Sequence, residues 1–577
     1  MIYRRNQRFS GPLTASMPLC WALLMLGACK PPQPPPPAPA PVEKSAPEAP
    51  VQRRSWYAAG KNAAVSTGKR EATDAALRVM KAGGNAADGA AAALLALSVA
   101  DGKKFHFGGE MVVLVYSATD HSVEVIAGQG AAPRLATRER YAKKGVVNGI
   151  PAAGALAATV PGAPDAIFTL LSRHGTKSFK EVSAPTQELL QKNTENWHWR
   201  LARTLRKLAD AEKLAEGSRQ LGLVRVSDEF YRGTIARDID KWSRDAGALL
   251  RFEDLATHST RIEQPVAMEY RGFKVFKPGA FTQGPSLLAA LGTVERFAMH
   301  GLSATNPRAV HVAVEAMKLA FADRDVYLGD PLFASVPTEE LFYPYYLSQR
   351  ADLIALDKAN NQMRVGDPRN KKPTLNKIPQ WATKFATSND TTTCVVADKA
   401  GNVVAATASG WSGVEAGETG VWLGSRLQSF NLWPDHPNTL VPGKRPRTTL
   451  TPTIVMKANR PVFAISVAGG DVQEQVTLQL LMNLIDFRML PDEAVTAPRW
   501  STAQLVGSFL QTAPRLGVLK ADAKLVEAVG QQLTAWGHKV EVDAVPLGEP
   551  SLLVLDANNG VMVAAGDPAT GREAAAF

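Results

Sequence analysis

The chain predicts an α+β fold, and three observations carry that expectation. A composition of 45% apolar and 21% charged residues over 577 positions is that of a globular protein able to bury a large core. Residues 389–397, Asn-Asp-Thr-Thr-Thr-Cys-Val-Val-Ala, are β-branched and short enough for a strand; 398–402 supply turn residues and 403–409 return, which makes a hairpin. Ala72 to Lys81 places apolar residues at helical spacing (Ala75, Ala76, Val79, Met80) and stops at Gly83-Gly84, after which Asn85 can cap an alanine-rich helix, Ala86 to Val99.

The first residues predict a secretory signal. Arg4, Arg5 and Arg8 precede an apolar run from Met17 to Leu26, short of the roughly 20 residues a membrane span needs. Leu26-Gly27-Ala28-Cys29 resembles the bacterial lipoprotein box, so cleavage after residue 28, lipidation of Cys29 and anchoring in the cell envelope facing the periplasm are expected. Residues 29–51 are rich in Pro and Ala, which favours extended polyproline and cannot pack a core, so they read as a spacer. Loss of 1–28 removes three arginines and no acid, taking the net charge from +11 to +8. The densest basic stretch (Lys371, Lys372, Lys377, Lys384) lacks interleaved aromatics, which argues against nucleic acid. Cys29 and Cys394 remain, so no internal disulfide is expected.

Further along, Gly108-Gly109-Glu110 reads as a glycine turn feeding a buried strand, Met111 to Tyr116. Asp165 to Ser172 is expected to be helical, as is Ala309 to Arg324, where Asp323 and Arg324 suggest an ion pair on the helix face. Residues 184–228 read as charged, peripheral amphipathic helix, and 358–387 as a polar, aperiodic, mobile segment. Ala464 to Ala468 is a buried strand ending in Gly469-Gly470, where backbone N–H groups can approach a ligand unobstructed. If the hairpin turn centres on Ala400, facing residues sum to about 800, which sets Thr391 opposite Ser409 and Thr393 opposite Thr407. Cys394 then points away from the Thr391 face and belongs to the core. None of the nine histidines falls in a Ser-His-Asp or metal-ligand pattern, so neither metal nor other cofactor is expected.

Asp390-Thr391-Thr392, a strand, and Asp398-x-x-Gly401-Asn402 together resemble the self-cleavage site of the γ-glutamyltranspeptidase family of N-terminal-nucleophile (Ntn) hydrolases. Gly83 to Asp88, Val160 to Ala166, Tyr270-Arg271-Gly272 and Glu315 to Arg324 follow in the family's order, so the resemblance covers nearly the whole mature chain. It implies a four-layer αββα sandwich: one large domain built from two autoprocessed subunits, 52–390 and 391–577. The precursor would cut itself between Asp390 and Thr391. A Thr hydroxyl needs an adjacent base, and the freed α-amine of Thr391, with a pKa near 8, supplies one in the same residue. Gly469 and Gly470 match the family's oxyanion-hole pair, and Ser409 supports the nucleophile. Thr448 and Thr449, in Arg445 to Thr453, match a substrate-contacting segment, while a plain strand start after Pro446 explains them equally well.

The head-group positions depart from the family pattern. Gln129 stands where a substrate-clamping Arg is expected, Trp411 where an Asn is expected, and Ser429 where an acid is expected. Arg426 nearby would bind a carboxylate or neutralise Asp471. The resemblance therefore implies a divergent γ-glutamyltransferase or glutathione-hydrolase-like amidohydrolase, acting on a small amide with water or an amine as acceptor. Alternatives are an acylase of the same fold for an amide such as a glutaryl compound, and a non-catalytic envelope scaffold.

Overall fold

The computed structural model describes residues 55–192, 195–215, 217–382, 391–410 and 413–577. The signal, Cys29, the spacer, Asp390 and Trp411 lie outside the described residues. The strands of the two main sheets begin with β1 (Tyr57–Gly60), β2 (Ala63–Thr67), β3 (Glu110–Ser117), β4 (Ser122–Gly128), β5 (Arg261–Glu263), β6 (Val266–Tyr270) and β7 (Phe273–Lys277). They continue as β8 (Thr391–Asp398), β9 (Val403–Ser409), β10 (Thr453–Lys457), β11 (Arg460–Ala468), β12 (Glu549–Leu555), β13 (Met562–Gly566) and β14 (Glu573–Ala576). One seven-stranded sheet runs β14-β2-β8-β9-β3-β4-β5 and the other β1-β13-β12-β11-β10-β7-β6.

Strand alternation sends side chains to two different cores, and this makes the four layers. On β8, Cys394 and Val396 join one core with α1 (Arg70–Lys81) and α2 (Ala86–Ala100). Val395 and Ala397 join a second core with Ile454, Ala464 and Leu553 of the opposite sheet. The far side of that sheet packs Val455, Ile465 and Leu552 against α4 (Gly284–Val294), α5 (Pro307–Tyr327) and α6 (Gln473–Ile485). The architecture is therefore αββα, as expected. Cys394 is a free core thiol, and burial pushes its pKa up to about 12.

Alanine dominates α2 because the helix is buried from Ala86 to Val99 and has no room for longer side chains. Its first turn is fully capped. The Asn85 side chain accepts from the N–H groups of Ala87 and Asp88, the Asp88 carboxylate accepts from Asn85 N, and Asp398 Oδ2 accepts from Ala86 N at 2.9 Å. Residues 179–231 form three helices, Phe179–Lys192, Asn196–Lys213 and Arg219–Tyr231, whose buried Leu201, Leu205 and Leu208 extend the α1/α2 core. The helix α3 (Ala163–His174) and α5 both run somewhat longer than expected. The Asp323–Arg324 ion pair does not form. Asp323 instead meets Arg350 at 3.2 Å, while Arg324 turns to Asp325 at 2.8 Å and to Asp471 at 2.6 Å.

The β8–β9 hairpin has the register expected for a turn centred on Ala400: Thr391 faces Ser409 and Thr393 faces Thr407. Asp398 clamps the turn. Its Oδ1 accepts from Ala400 N (2.9 Å) and Asn402 N (3.1 Å), and its Oδ2 from Asn402 Nδ2 (3.0 Å) as well as Ala86 N. Gly401 supplies the left-handed residue at φ +91°. Replacing Asp398 by Ala orphans three backbone donors, one of them buried, and is expected to cost about 3 kcal/mol, whereas Asp398→Asn, which keeps one carbonyl acceptor, costs less. Thermal unfolding of the two variants, each in a Thr391→Ala background, checks the order.

Candidate active site

Register carries one row of polar residues across four adjacent strands. Thr391 on β8 pairs with Ser409 on β9, and Ser409 pairs with Glu110 on β3. Gly128 on β4 pairs with Met111, so the next step of the same ladder sets Gln129 beside Glu110. Directly opposed residues of antiparallel strands share a face. Two positions inward, Thr393 Oγ1 meets Ser551 Oγ at 2.8 Å and Thr407 Oγ1 meets Ser466 Oγ at 2.9 Å, both across the gap between the sheets. The row therefore faces the inter-sheet space at the end of the sandwich.

The row is buried and unsaturated. Thr391 is 1% exposed and its hydroxyl has no hydrogen-bond partner among the described residues. Glu110 Oε2, Gln129 Oε1, Ser429 Oγ and Arg426 Nη1 are likewise buried and unpartnered. Buried polar atoms are ordinarily satisfied, so a cluster of orphans marks a place built to receive a polar group. Arg426 reaches this row and not Asp471: its Nε lies 2.7 Å from Glu110 Oε1, and its Nη2 donates to Ser409 Oγ at 2.8 Å. Asp471 instead takes Arg324 at 2.6 Å and both the N–H and hydroxyl of Ser508. Burial raises the Asp471 pKa, but the Arg324 charge and the Ser508 bonds outweigh it and hold the carboxyl below its usual range.

The facing sheet brings its glycine pair to the same end. β11 passes Ser466, which touches Thr407, and ends at Ala468; Gly469 and Gly470 follow with φ of +134° and +60°. These left-handed conformations are open to glycine and strained for other residues. Gln283, just before α4, joins the surrounding loops. Its Nε2 donates to Gly470 O (3.1 Å) and Thr449 O (3.3 Å), and its Oε1 accepts from Arg324 (2.8 Å). Thr448 bridges to Thr282, and the Thr449 hydroxyl is buried and unpartnered. The segment Thr448-Thr449 and the glycine pair are thus held together by one buried amide.

Two other places gather polar side chains. A cavity of about 1220 Å³ is lined by Lys69, Asp101, His106, Trp197 and Trp422. Val99 and Ala100, at the end of α2, line it as well. His106 stacks on Trp422 there, and burial, followed by the His198 charge, lowers its pKa to about 3, so the ring is neutral. His311, Glu315 and His538 bring ligand-type atoms within 4.8 Å of one another. Both carboxylate oxygens of Glu315 already meet cations, Lys318 at 2.6 Å and Arg364 at 2.7 Å, and His311 Nδ1 meets His538 Nε2 at 2.8 Å. Two cations against one carboxylate disfavour a third, so this set reads as a buried polar knot.

Sequence reasoning placed Thr391, Ser409, Gly469, Gly470, Thr448, Thr449, Gln129 and Arg426; the structure brings Thr391, Ser409, Gln129 and Arg426 into one row and the other four into the facing loops. It did not single out Glu110 or Gln283. The signal for Glu110 was its position directly after Gly108-Gly109, at the start of an otherwise apolar buried strand, where a carboxylate is out of place. Gln283 carries no local signal, because its partners lie 41 to 187 positions away.

Comparison with known proteins agrees with this geometry. The γ-glutamyltranspeptidase family model matches residues 72–195 and 193–577. The chain is 27% identical to the glutathione hydrolase proenzyme of Bacillus subtilis (strain 168) across 88% of this chain and 90% of that protein. It is 30% identical to the acylase ACY 1 proenzyme of Pseudomonas sp. (strain SE83) across 84% and 88%. Among solved structures it is similar to cephalosporin acylase from Bacillus halodurans, with a TM-score of 0.76, 26% identity, and coverage of 93% of this chain and 99% of that one. The fold, the order of the motifs and a match over most of the described chain lead to one conclusion: this protein belongs to the γ-glutamyltranspeptidase family of Ntn amidohydrolases.

Proposed function

We propose that the chain is a proenzyme that cuts itself before Thr391 and then hydrolyses or transfers small amides through a Thr391 ester. The observation that carries this reading is the Thr391 hydroxyl: buried, unpartnered, opposite Ser409, and at the start of a strand whose first residue becomes an N-terminus on cleavage. In processing, Thr391 Oγ1 attacks the Asp390 carbonyl, the peptide C–N bond breaks as the nitrogen takes the proton, and water hydrolyses the resulting ester. The products are subunits 52–390, preceded by the anchor, and 391–577.

In turnover the freed amine accepts the hydroxyl proton as Oγ1 bonds to the substrate carbonyl. The N–H groups at Gly469 and Gly470 stabilise the oxyanion, each such donor being worth about 3 kcal/mol. The amine then returns its proton to the leaving nitrogen, the C–N bond breaks, and water or an acceptor amine resolves the ester. Ser409 supports the nucleophile from across the hairpin, while Thr448, Thr449, Gln129 and Arg426 surround the substrate. No metal or other cofactor enters these steps.

The finer activity divides between two readings. Glutathione hydrolase and γ-glutamyltransferase activity is favoured by the family and by the Bacillus relative. An acylase for another amide is favoured by Gln129 in place of a charged clamp and by similarity to acylases. The lipoprotein box further supports a lipid anchor at Cys29, facing the periplasm.

Purified protein is expected to give two bands, the smaller beginning with Thr391 by N-terminal sequencing, and Thr391→Ala one unsplit band. A wild-type band that stays whole on long incubation would instead favour the scaffold. Gly470→Ala, strained at φ +60°, is expected to lower kcat by about 10²-fold, read as initial rates on processed protein. Cys29→Ser is expected to move the protein from the membrane to the soluble fraction, checked by fractionation.

A further inference from the structure

The basic stretch that follows residue 365 has no part in the chemistry at Thr391, and the fold gives it neighbours that suit another task. Residues 365–382 carry Arg369, Lys371, Lys372 and Lys377 against the single acid Asp367. All four cations are exposed, and none enters a salt bridge among the described residues. Asp367 is occupied close by, accepting from Asn370 N at 3.2 Å and Asn370 Nδ2 at 2.8 Å. The lysines therefore present an unbalanced positive charge to solvent.

Aromatic side chains stand beside them. Of the five exposed large aromatic residues among the described residues, three fall between 333 and 345: Phe333 (44% exposed), Tyr343 and Tyr345 (62%). Contacts tie the two stretches into one surface. Lys371 Nζ lies 5.7 Å over the Tyr343 ring, and Arg369 Nη2 donates to Ser335 O at 2.7 Å. Arg350, from the helix Pro344–Ala351, donates to Pro373 O at 2.6 Å. Leu347 of the same helix packs into the core shared with α4 and α5, so the surface lies on the outside of that helix layer.

Clustered exposed rings mark an interaction site, and these rings are interleaved with lysines. That combination matches the boundary of a bilayer, where aromatic rings sit at headgroup level and ammonium groups meet lipid phosphates. The chain ahead of the described residues favours a membrane over a protein partner. Leu26-Gly27-Ala28-Cys29 resembles a lipoprotein box, and the Pro-rich spacer that follows, at about 3.1 Å per residue, reaches about 80 Å before residue 55. A tether of that length holds the folded body near a membrane without choosing which face it turns to the lipid. A charged and aromatic face makes that choice.

We propose that the surface formed by Phe333, Tyr343 and Tyr345 with Lys371, Lys372 and Lys377 docks on an anionic lipid bilayer. The rings enter the headgroup layer and the three ammonium groups lie against lipid phosphates. The contact orients the protein and does not retain it: salt loosens it, and retention belongs to the acyl anchor. It is independent of the reaction at Thr391.

The test uses the full-length Cys29→Ser chain, so that binding owes nothing to an anchor, pelleted with vesicles of phosphatidylglycerol or of phosphatidylcholine. At about 0.01 M salt, where surface charges act over about 30 Å, partition onto phosphatidylglycerol is expected to exceed that onto phosphatidylcholine by about 10²-fold. The excess is expected to shrink at about 0.15 M salt. Adding Lys371→Glu, Lys372→Glu and Lys377→Glu is expected to lower partition by about 10²-fold or more. The same charge change on the helices Asn196–Lys213 and Thr234–Asp245, which pack on the α1/α2 core, is made by Arg206→Glu, Lys207→Glu and Lys241→Glu. It is expected to lower partition by about threefold at most. No binding, equal binding to the two lipids, or equal loss in the two triple variants overturns the proposal. So does a dimer, seen by light scattering, that the lysine substitutions split, because a second copy would then be the occupant. Should the lysine variant lose cooperative thermal unfolding, Phe333→Ser with Tyr345→Ser decides: binding about tenfold weaker supports the proposal and unchanged binding overturns it.

Discussion

Everything at the candidate site depends on the register of the β8–β9 hairpin, and that register is held by the Asp398 carboxylate. A strand has a side-chain period of two, so a slip of one residue would turn Thr391 from the inter-sheet space toward the helices. Asp398 prevents this by accepting from the turn backbone and from the first residue of α2 at once, which ties the hairpin to the outer helix layer. Once β8 and β9 are aligned, β3 and β4 follow by ladder pairing, and the row from Thr391 to Gln129 is set by backbone geometry. The side chains then face a space already bounded by the second sheet. The Thr393–Ser551 and Thr407–Ser466 contacts mark where the apolar inter-sheet core gives way to the polar end.

The second sheet is organised by buried charge. Arg324 is fully enclosed and satisfied by Asp325, Asp471, Gln283 and the Val506 carbonyl. Such a network contributes little net stability, because desolvation offsets much of the attraction, but removing one member leaves an unpaired buried charge. Its value here is positional: it fixes Gln283, and Gln283 fixes Gly470 and Thr449. The pairing of Arg426 with Glu110 does the same for the opposite wall.

Both sheets also interleave strands from either side of residue 391. In one, β2 lies between β14 and β8, and β9 lies beside β3; in the other, β1 pairs with β13 and β7 with β10. Neither segment can complete a sheet by itself, so a cut before Thr391 breaks one peptide bond while both sheets and all three large cores stay shared between the two pieces.

The hairpin, the capped alanine-rich helix and the glycine pair were legible from residues 83–99, 389–409 and 464–470, because each is encoded within one short window by periodicity, turn chemistry or backbone freedom. The family motifs added the sandwich and the identity of Thr391. The partners of charged side chains were not legible: Asp323 pairs with Arg350, Arg324 with Asp325 and Asp471, and Arg426 with the carboxylate of Glu110 and not with Asp471, since most of these partners are chosen by which surfaces meet. Glu110 and Gln283 escaped for the same reason. Sequence alone determined the local elements and the chemistry that Thr391 can perform; tertiary structure decided which polar atoms converge beside it and which of them are left unpaired, because those contacts join strands and loops brought together only by the two-sheet packing.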